Sequence, residues 1–117
     1  MVEKYIPSQK DIVYLDFYSQ TGHEQTGRRP ALVLSNKTFN KFTSLALVCP
    51  ITSNTKEFPF HVLLSNNKTK GVVMCEQIKV VDFQARNITY KEKIQNDTYN
   101  EVIDIVKSFI DIETYEE

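Results

Sequence analysis

At 117 residues and 41% apolar content, the chain has the length of one compact domain, which buries about two-thirds of the surface its unfolded form exposes; residues 1–117 are read as a single domain. A formal net charge of -1 excludes a protein that coats nucleic acid by uniform positive charge, so any nucleic acid must meet a local basic patch. Met1 to Lys10 has neither an apolar signal core nor a small-residue cleavage site, and no stretch approaches the ~18 apolar residues of a membrane span. That reads as a cytoplasmic protein, in which the Asn-x-Thr triplets beginning at Asn36, Asn67, Asn87 and Asn96 have no glycosylation to receive.

Asp11 to Phe17 is rich in β-branched and aromatic residues, with Val13, Leu15 and Phe17 on one face and Tyr14 and Asp16 on the other, and predicts a strand. Tyr18 to Arg29 carries two glycines and almost no large apolar side chain, so a long exposed loop is expected before a second strand at Ala31–Ser35. Leu45–Ile51 and Phe60–Leu64 predict a third and fourth strand around the polar loop Thr52–Pro59. Gly71–Phe83 predicts a long fifth strand or a bent pair. Leu45–Cys49 and Val72–Cys75 are apolar at successive positions, which implies burial on both faces, in a small barrel or in a sheet covered by a helix or a partner. Cys49 and Cys75 sit inside those runs and read as reduced core thiols. One helix is expected near the end, capped by Thr98 and Glu101, with Val102, Ile103, Val106, Phe109 and Ile110 at helical spacing.

The segment Thr21-Gly22-His23-Glu24-Gln25-Thr26-Gly27-Arg28-Arg29-Pro30 sets one carboxylate four and five residues before two guanidiniums, between glycines. An ordinary surface ion pair would account for that composition, but long loops held by strands are also where function collects. RNA brings its own nucleophile, the 2′-hydroxyl. Cutting it needs a base for that proton and positive charge for the phosphorane, and Glu24 and Arg29 are the residue types that supply them. Arginine suits the second task as an electrostatic clamp rather than as a proton donor. Glutamate near ~4.3 is a weak base at neutral pH, and neighbouring arginines weaken it further.

Val13-Tyr14-Leu15-Asp16-Phe17 followed by Gly22-His23-Glu24-Gln25-Thr26-Gly27-Arg28-Arg29-Pro30-Ala31-Leu32-Val33-Leu34-Ser35 resembles the signature of MazF/PemK toxins. Val48-Cys49-Pro50-Ile51-Thr52-Ser53, Phe58-Pro59-Phe60 and Gly71-Val72-Val73-Met74-Cys75-Glu76-Gln77-Ile78-Lys79 extend the resemblance over residues 3 to 112. It implies a mainly β protein, a Src-homology-three-like small barrel of about five to seven strands with a C-terminal α-helix. It also implies a homodimer, a cognate antitoxin with an acidic, partly disordered tail, and a sequence-specific, metal-independent endoribonuclease acting on single-stranded RNA. By position, the family's catalytic glutamate, arginine and threonine fall on Glu24, Arg29 and Thr52. Two positions depart from the family pattern: Lys10 stands where glycine is common before the first strand, and His23 where serine is frequent. His23 is a further candidate for proton transfer.

Gln25, Arg28, Ser53, Lys56, Glu76 and Gln77 are the candidate RNA-binding residues, with Asn54 and Phe58 beside them, because single-strand recognition needs base edges and stacking surfaces near the cut. His61 reads as a strand residue. No Cys-x-x-Cys or His-x-x-x-His pair occurs, so neither metal nor other cofactor is expected. Two other functions stay open at this level: a gyrase poison of the CcdB type, which shares the fold, and a catalytically silent binding module.

Overall fold

A computed structural model describes residues 4–17 and 27–113. Seven strands form one antiparallel sheet: β1 (Asp11–Phe17), β2 (Gly27–Val33), β3 (Leu45–Thr52), β4 (His61–Leu63), β5 (Val72–Met74), β6 (Lys79–Asp82) and β7 (Thr89–Lys93). Their order is β4-β5-β3-β2-β1-β7. Along one edge β3 pairs with β2; along the other its first half, Leu45–Val48, pairs with β6 and its last two residues with β5. Sharing one edge between two partners bends the sheet around β3 into an open, barrel-like form.

Both faces of this sheet are buried, as the unbroken apolar runs of β3 and β5 imply. One core contains Ile12, Leu32, Cys49, Ile51, Val62 and Val73 beneath α2 (Asn96–Ser108); the other contains Val13, Leu15, Phe17, Ala31, Val48 and Phe83, covered by Tyr5, Ile6 and Ile88. Each fully buried branched or aromatic side chain contributes about 1.5–3 kcal/mol of transfer free energy. Tyr99 anchors α2, its hydroxyl donating to the Leu34 carbonyl at 2.9 Å. Cys49 and Cys75 are free and buried, as expected.

Several elements differ from the sequence reading. Gly27, Arg28 and Arg29 belong to β2, not to the loop, because Phe17, Asp16 and Leu15 pair with them. Of the two alternatives for the fifth run, the bent pair is found: β5 and β6, separated by a short 3₁₀ helix at Cys75–Gln77. The last helix starts before the expected cap: Gln95 is its N-cap and Thr98 lies buried in the first turn. Burial of Tyr99 against the first core draws the helix start back. The apolar stripe ends with the helix, leaving Phe109 partly and Ile110 largely exposed.

Helix α1 (Lys37–Thr43) and strand β7 carry no apolar periodicity and were not expected. Asn36 caps α1 by accepting from the Phe39 amide at 2.9 Å, and Ser44 closes it in a left-handed conformation, φ 59°. Asn40, fully buried, fastens the helix by donating to the carbonyls of Pro7 at 2.8 Å and Ser35 at 3.1 Å.

Candidate active site

Strand β2 sets its two arginines on opposite faces, since successive residues of a strand alternate. Arg28 shares its face with Asp16, its partner on β1. Its guanidinium donates to Asp16 Oδ1 at 3.1 Å and to Thr89 Oγ1 at 3.0 Å. Asn87 Nδ2 donates to the other oxygen of Asp16 at 2.7 Å. These two donors, Asn87 and then Arg28, hold the Asp16 carboxyl below its usual value. Arg28 is thereby tied into the β1–β7 side of the sheet.

Arg29, half-buried, lies on the other face with Leu15 and Ala31. The β2–β3 ladder ends at Ala31 and Pro50, where Pro30 has no N–H to continue it. The same register carried two residues further sets Arg29 across from Thr52, the last residue of β3. Sequence analysis places these two together only by resemblance; the sheet supplies the reason.

Gly71 fixes the backbone at Thr52. A Cβ at position 71 would lie 2.1 Å from the Thr52 carbonyl oxygen, and Gly71 has φ +126°, where side chains are strained. The Thr52 hydroxyl accepts from the Asn54 amide at 3.2 Å, and Asn54 Oδ1 accepts from the Lys56 amide at 3.2 Å. Two successive side-chain-closed turns thus shape the start of the loop. Because Thr52 Oγ1 is an acceptor in the first of them, its O–H remains a donor for an incoming oxygen.

Beside Thr52 lies a hollow of about 290 Å³, bordered by Thr52, Asn54, Lys56, Glu57, Phe58, His61 and Met74. It adjoins a larger groove of about 840 Å³ that shares Lys56, Glu57, Phe58 and His61 with it. Ser53 and Lys56 are exposed at the rim, whereas Glu76 and Gln77 are half-buried in the 3₁₀ helix. Glu76 reaches the hollow through His61, whose Nε2 lies 3.0 Å from Glu76 Oε2. His61 is a strand residue, as read, but sequence reasoning missed its place in the site. The available signal was alternation: Val62 and Leu64 are buried, so His61 must face the other way.

Glu24 and Gln25, with His23, fall outside the described residues. Among the described residues, no cluster of three or more His, Cys, Asp or Glu side chains is placed to hold a metal ion, and no helix is long and apolar enough to cross a membrane.

Fold and site together define a small barrel-like β-protein in which Thr52 borders a hollow and Arg29 lies on the neighbouring strand. A profile described as PemK-like, MazF-like toxin of type II toxin-antitoxin system matches residues 8–110. The chain belongs to this toxin family. It is 40% identical over 91 residues to the endoribonuclease toxin MazF of Escherichia coli (strain K12), covering 78% of this chain and 82% of that one. Against the endoribonuclease EndoA of Bacillus subtilis (strain 168) it is 30% identical over 114 residues, covering 91% and 98%. Among solved structures, MazF (Form-I) from Deinococcus radiodurans superimposes with a TM-score of 0.86 at 37% identity, over 92% of this chain and 98% of that one. The MazE-MazF complex (Form-II) from the same organism gives 0.82 at 32% identity, over 94% and 100%.

Proposed function

We propose that this chain is a metal-independent endoribonuclease, the toxin of a type II toxin-antitoxin pair, acting as a single domain on single-stranded RNA through the RNA's own 2′-hydroxyl. The observation that carries the reading is the β2–β3 register, which, extended two residues past its last pair at Ala31 and Pro50, brings Arg29 opposite Thr52 on adjacent strands. A guanidinium and a hydroxyl donor side by side on a rigid sheet suit the charge that develops on a phosphorane.

In the mechanism, Glu24 takes the 2′-hydroxyl proton as O2′ attacks phosphorus. Arg29 binds the phosphorane oxygens through its fork, and the Thr52 hydroxyl donates to one of them. The bond from phosphorus to O5′ then breaks, and O5′ takes a proton from water, leaving a 2′,3′-cyclic phosphate and a 5′-hydroxyl. Arg29 neither gives nor takes a proton in this scheme, because guanidinium stays charged at ordinary pH. Lys56 and Ser53, at the rim, hold RNA phosphates and sugars.

The relatives named as endoribonucleases and the MazE-MazF complexes support an antitoxin as partner here; the homodimer is what the family resemblance implies. An acidic tail would compete with RNA for the same cations and lose some contact energy to its own ordering.

The test is a cleavage assay on one RNA with and without a 2′-deoxy substitution at the scissile nucleotide, repeated in chelator. Cleavage that stops with the 2′-deoxy substrate and is indifferent to chelator is expected. Continued cutting of the 2′-deoxy RNA overturns the internal-nucleophile mechanism, and a protein that cuts no RNA is a silent binding module.

A further inference from the structure

Arg28 and Arg29 carry the same charge at successive positions, so a twist of one residue at the start of β2 would exchange them between the two faces of the sheet. Little on the β3 side opposes such a twist. The β2–β3 ladder begins only at Ala31, Pro30 has no N–H to extend it, and Gly27 stands in the left-handed region, φ +84°, with nothing within 4 Å of where a Cβ would lie. Between this glycine and that proline, the strand pairing of Arg28 and Arg29 is with β1.

Asp16 supplies what the ladder lacks. It stands opposite Arg28, and its carboxylate accepts from the guanidinium on Oδ1 at 3.1 Å and from Asn87 Nδ2 on Oδ2 at 2.7 Å. Its backbone is fastened at both ends, the amide donating to the Arg86 carbonyl at 2.9 Å and the carbonyl accepting from Arg86 Nη1 at 3.1 Å. The carboxylate is therefore a fixed point. Thr89 Oγ1 completes the seat by accepting from Arg28 Nη2 at 3.0 Å, so the fork of Arg28 is shared between β1 and β7.

With side chains 40% and 27% exposed, an ion pair of this kind adds little to stability. Its effect is on orientation. Once Arg28 is bound on one face, alternation along the strand sends Arg29 to the other. Resting on the RNA-cutting reading, we propose that Asp16 is a positioning residue of the cutting site: it captures Arg28 and thereby commits Arg29 to the face of Thr52. It acts through Arg28, not on the RNA.

Epistasis between Asp16 and Arg28 tests the role. D16A releases Arg28 to compete for the place of Arg29, and single-turnover cleavage at saturating RNA falls about tenfold, as misplacement of a catalytic group does. Removing the competitor restores the choice: D16A/R28A cuts about fivefold faster than D16A, close to R28A, because contacting residues are not additive. A purely structural role predicts the reverse order, since the double variant has lost more ties. Melting temperatures place every assay below the transition; should D16A not fold, D16N, which keeps the shape and gives up the charge, carries the same comparison. A D16A protein that cuts like the parent, or a double variant no faster than D16A, overturns the positioning role. Arg29 is also followed without cleavage, through the NMR signal of its Nε–H group, assigned with R29K. That signal shifts in D16A and returns in D16A/R28A. A signal that moves and returns in a protein that cuts no RNA refutes the catalytic reading alone, whereas cleavage with a signal indifferent to D16A refutes the positioning role alone.

Discussion

The backbones of Gly71 and Thr52 touch: a Cβ on residue 71 would stand 2.1 Å from the Thr52 carbonyl oxygen and 2.9 Å from its carbon. G71A must therefore move the strand end that carries the proposed phosphate donor, at a φ of +126° that alanine resists. The expected cost is on the order of 3 kcal/mol, from backbone strain and overlap together. Thermal melting measures it, and single-turnover cleavage below the variant's transition shows the accompanying loss of rate. A G71A protein that melts with the parent would show that the close approach is relieved without consequence.

Glu92 on β7 draws the segment around residues 67–69 against the sheet. Burial alone would raise its carboxyl, but the Thr69 hydroxyl, Asn67 Nδ2 and the amides of Thr69 and Lys68 donate to it and hold it at about 2. The folded state thus binds fewer protons than the unfolded chain across the interval from its ordinary value, 4.5, down to about 2. The stabilisation is complete above that interval and is lost as pH falls through it. Partial exposure reduces the contribution to about 1–2 kcal/mol near neutrality. E92Q is expected to lower the melting temperature at pH 7 and to flatten its decline below pH 4.5. Parallel pH profiles for parent and variant would remove Glu92 from the acid response.

Where apolar residues fall in a pattern, the fold is legible in the sequence. The β-branched and aromatic content of Asp11–Phe17, with its apolar face of Val13, Leu15 and Phe17, gives β1 at its observed limits, and unbroken apolar runs in β3 and β5 give a sheet buried on both faces. The missed elements are held by polar side chains instead. In β7, Thr-Tyr-Lys-Glu-Lys is exposed or half-buried throughout and is fixed by β1 and by the bonds to Glu92. All four Asn-x-Thr triplets supply polar ties: Asn36 caps α1, Asn67 and Thr69 hold Glu92, Asn87 and Thr89 hold Asp16 and Arg28, and Asn96 accepts from Lys10. In the site, the opposition of Arg28 and Arg29 follows only from starting β2 at Gly27, a boundary set by long-range pairing.

Both thiols are sealed in the first core. Cys49 and Cys75 have no exposed surface. Burial raises both, Cys75 to about 12 with the carboxylates of Glu76 and Glu101 adding to the effect. Alkylation requires the thiolate and access to it. Iodoacetamide at pH 8 is therefore expected to leave native protein unmodified and to label both cysteines in denaturant. Rapid labelling of the native state would mean that β3 and β5 open readily.

Arg28 and Arg29 are adjacent and carry the same charge, but the strand sends them to opposite faces, so alanine at each position must give different damage. Arg28 is occupied by Asp16 and Thr89; R28A removes that tie, and its main effect is a slightly lower melting temperature, with Asp16 still held by Asn87. Arg29 stands across from Thr52 by register. Removing a charge aimed at the developing phosphorane should lower turnover by ~10² to 10³, by analogy with loss of an oxyanion donor. Because Arg29 is half-buried on a strand, R29A also loses the packing of its aliphatic stem, so rates must be compared well below both transitions. A role in holding RNA would appear as weaker apparent binding that worsens at high salt, whereas a transition-state role persists at saturating RNA. Single-turnover cleavage of one RNA by both variants, at saturation and at two salt concentrations, separates these cases. Equal rate losses at saturation would mean that general electrostatics, not the face on which each arginine lies, governs cutting, and the assignment of Arg29 as the phosphorane clamp would fall.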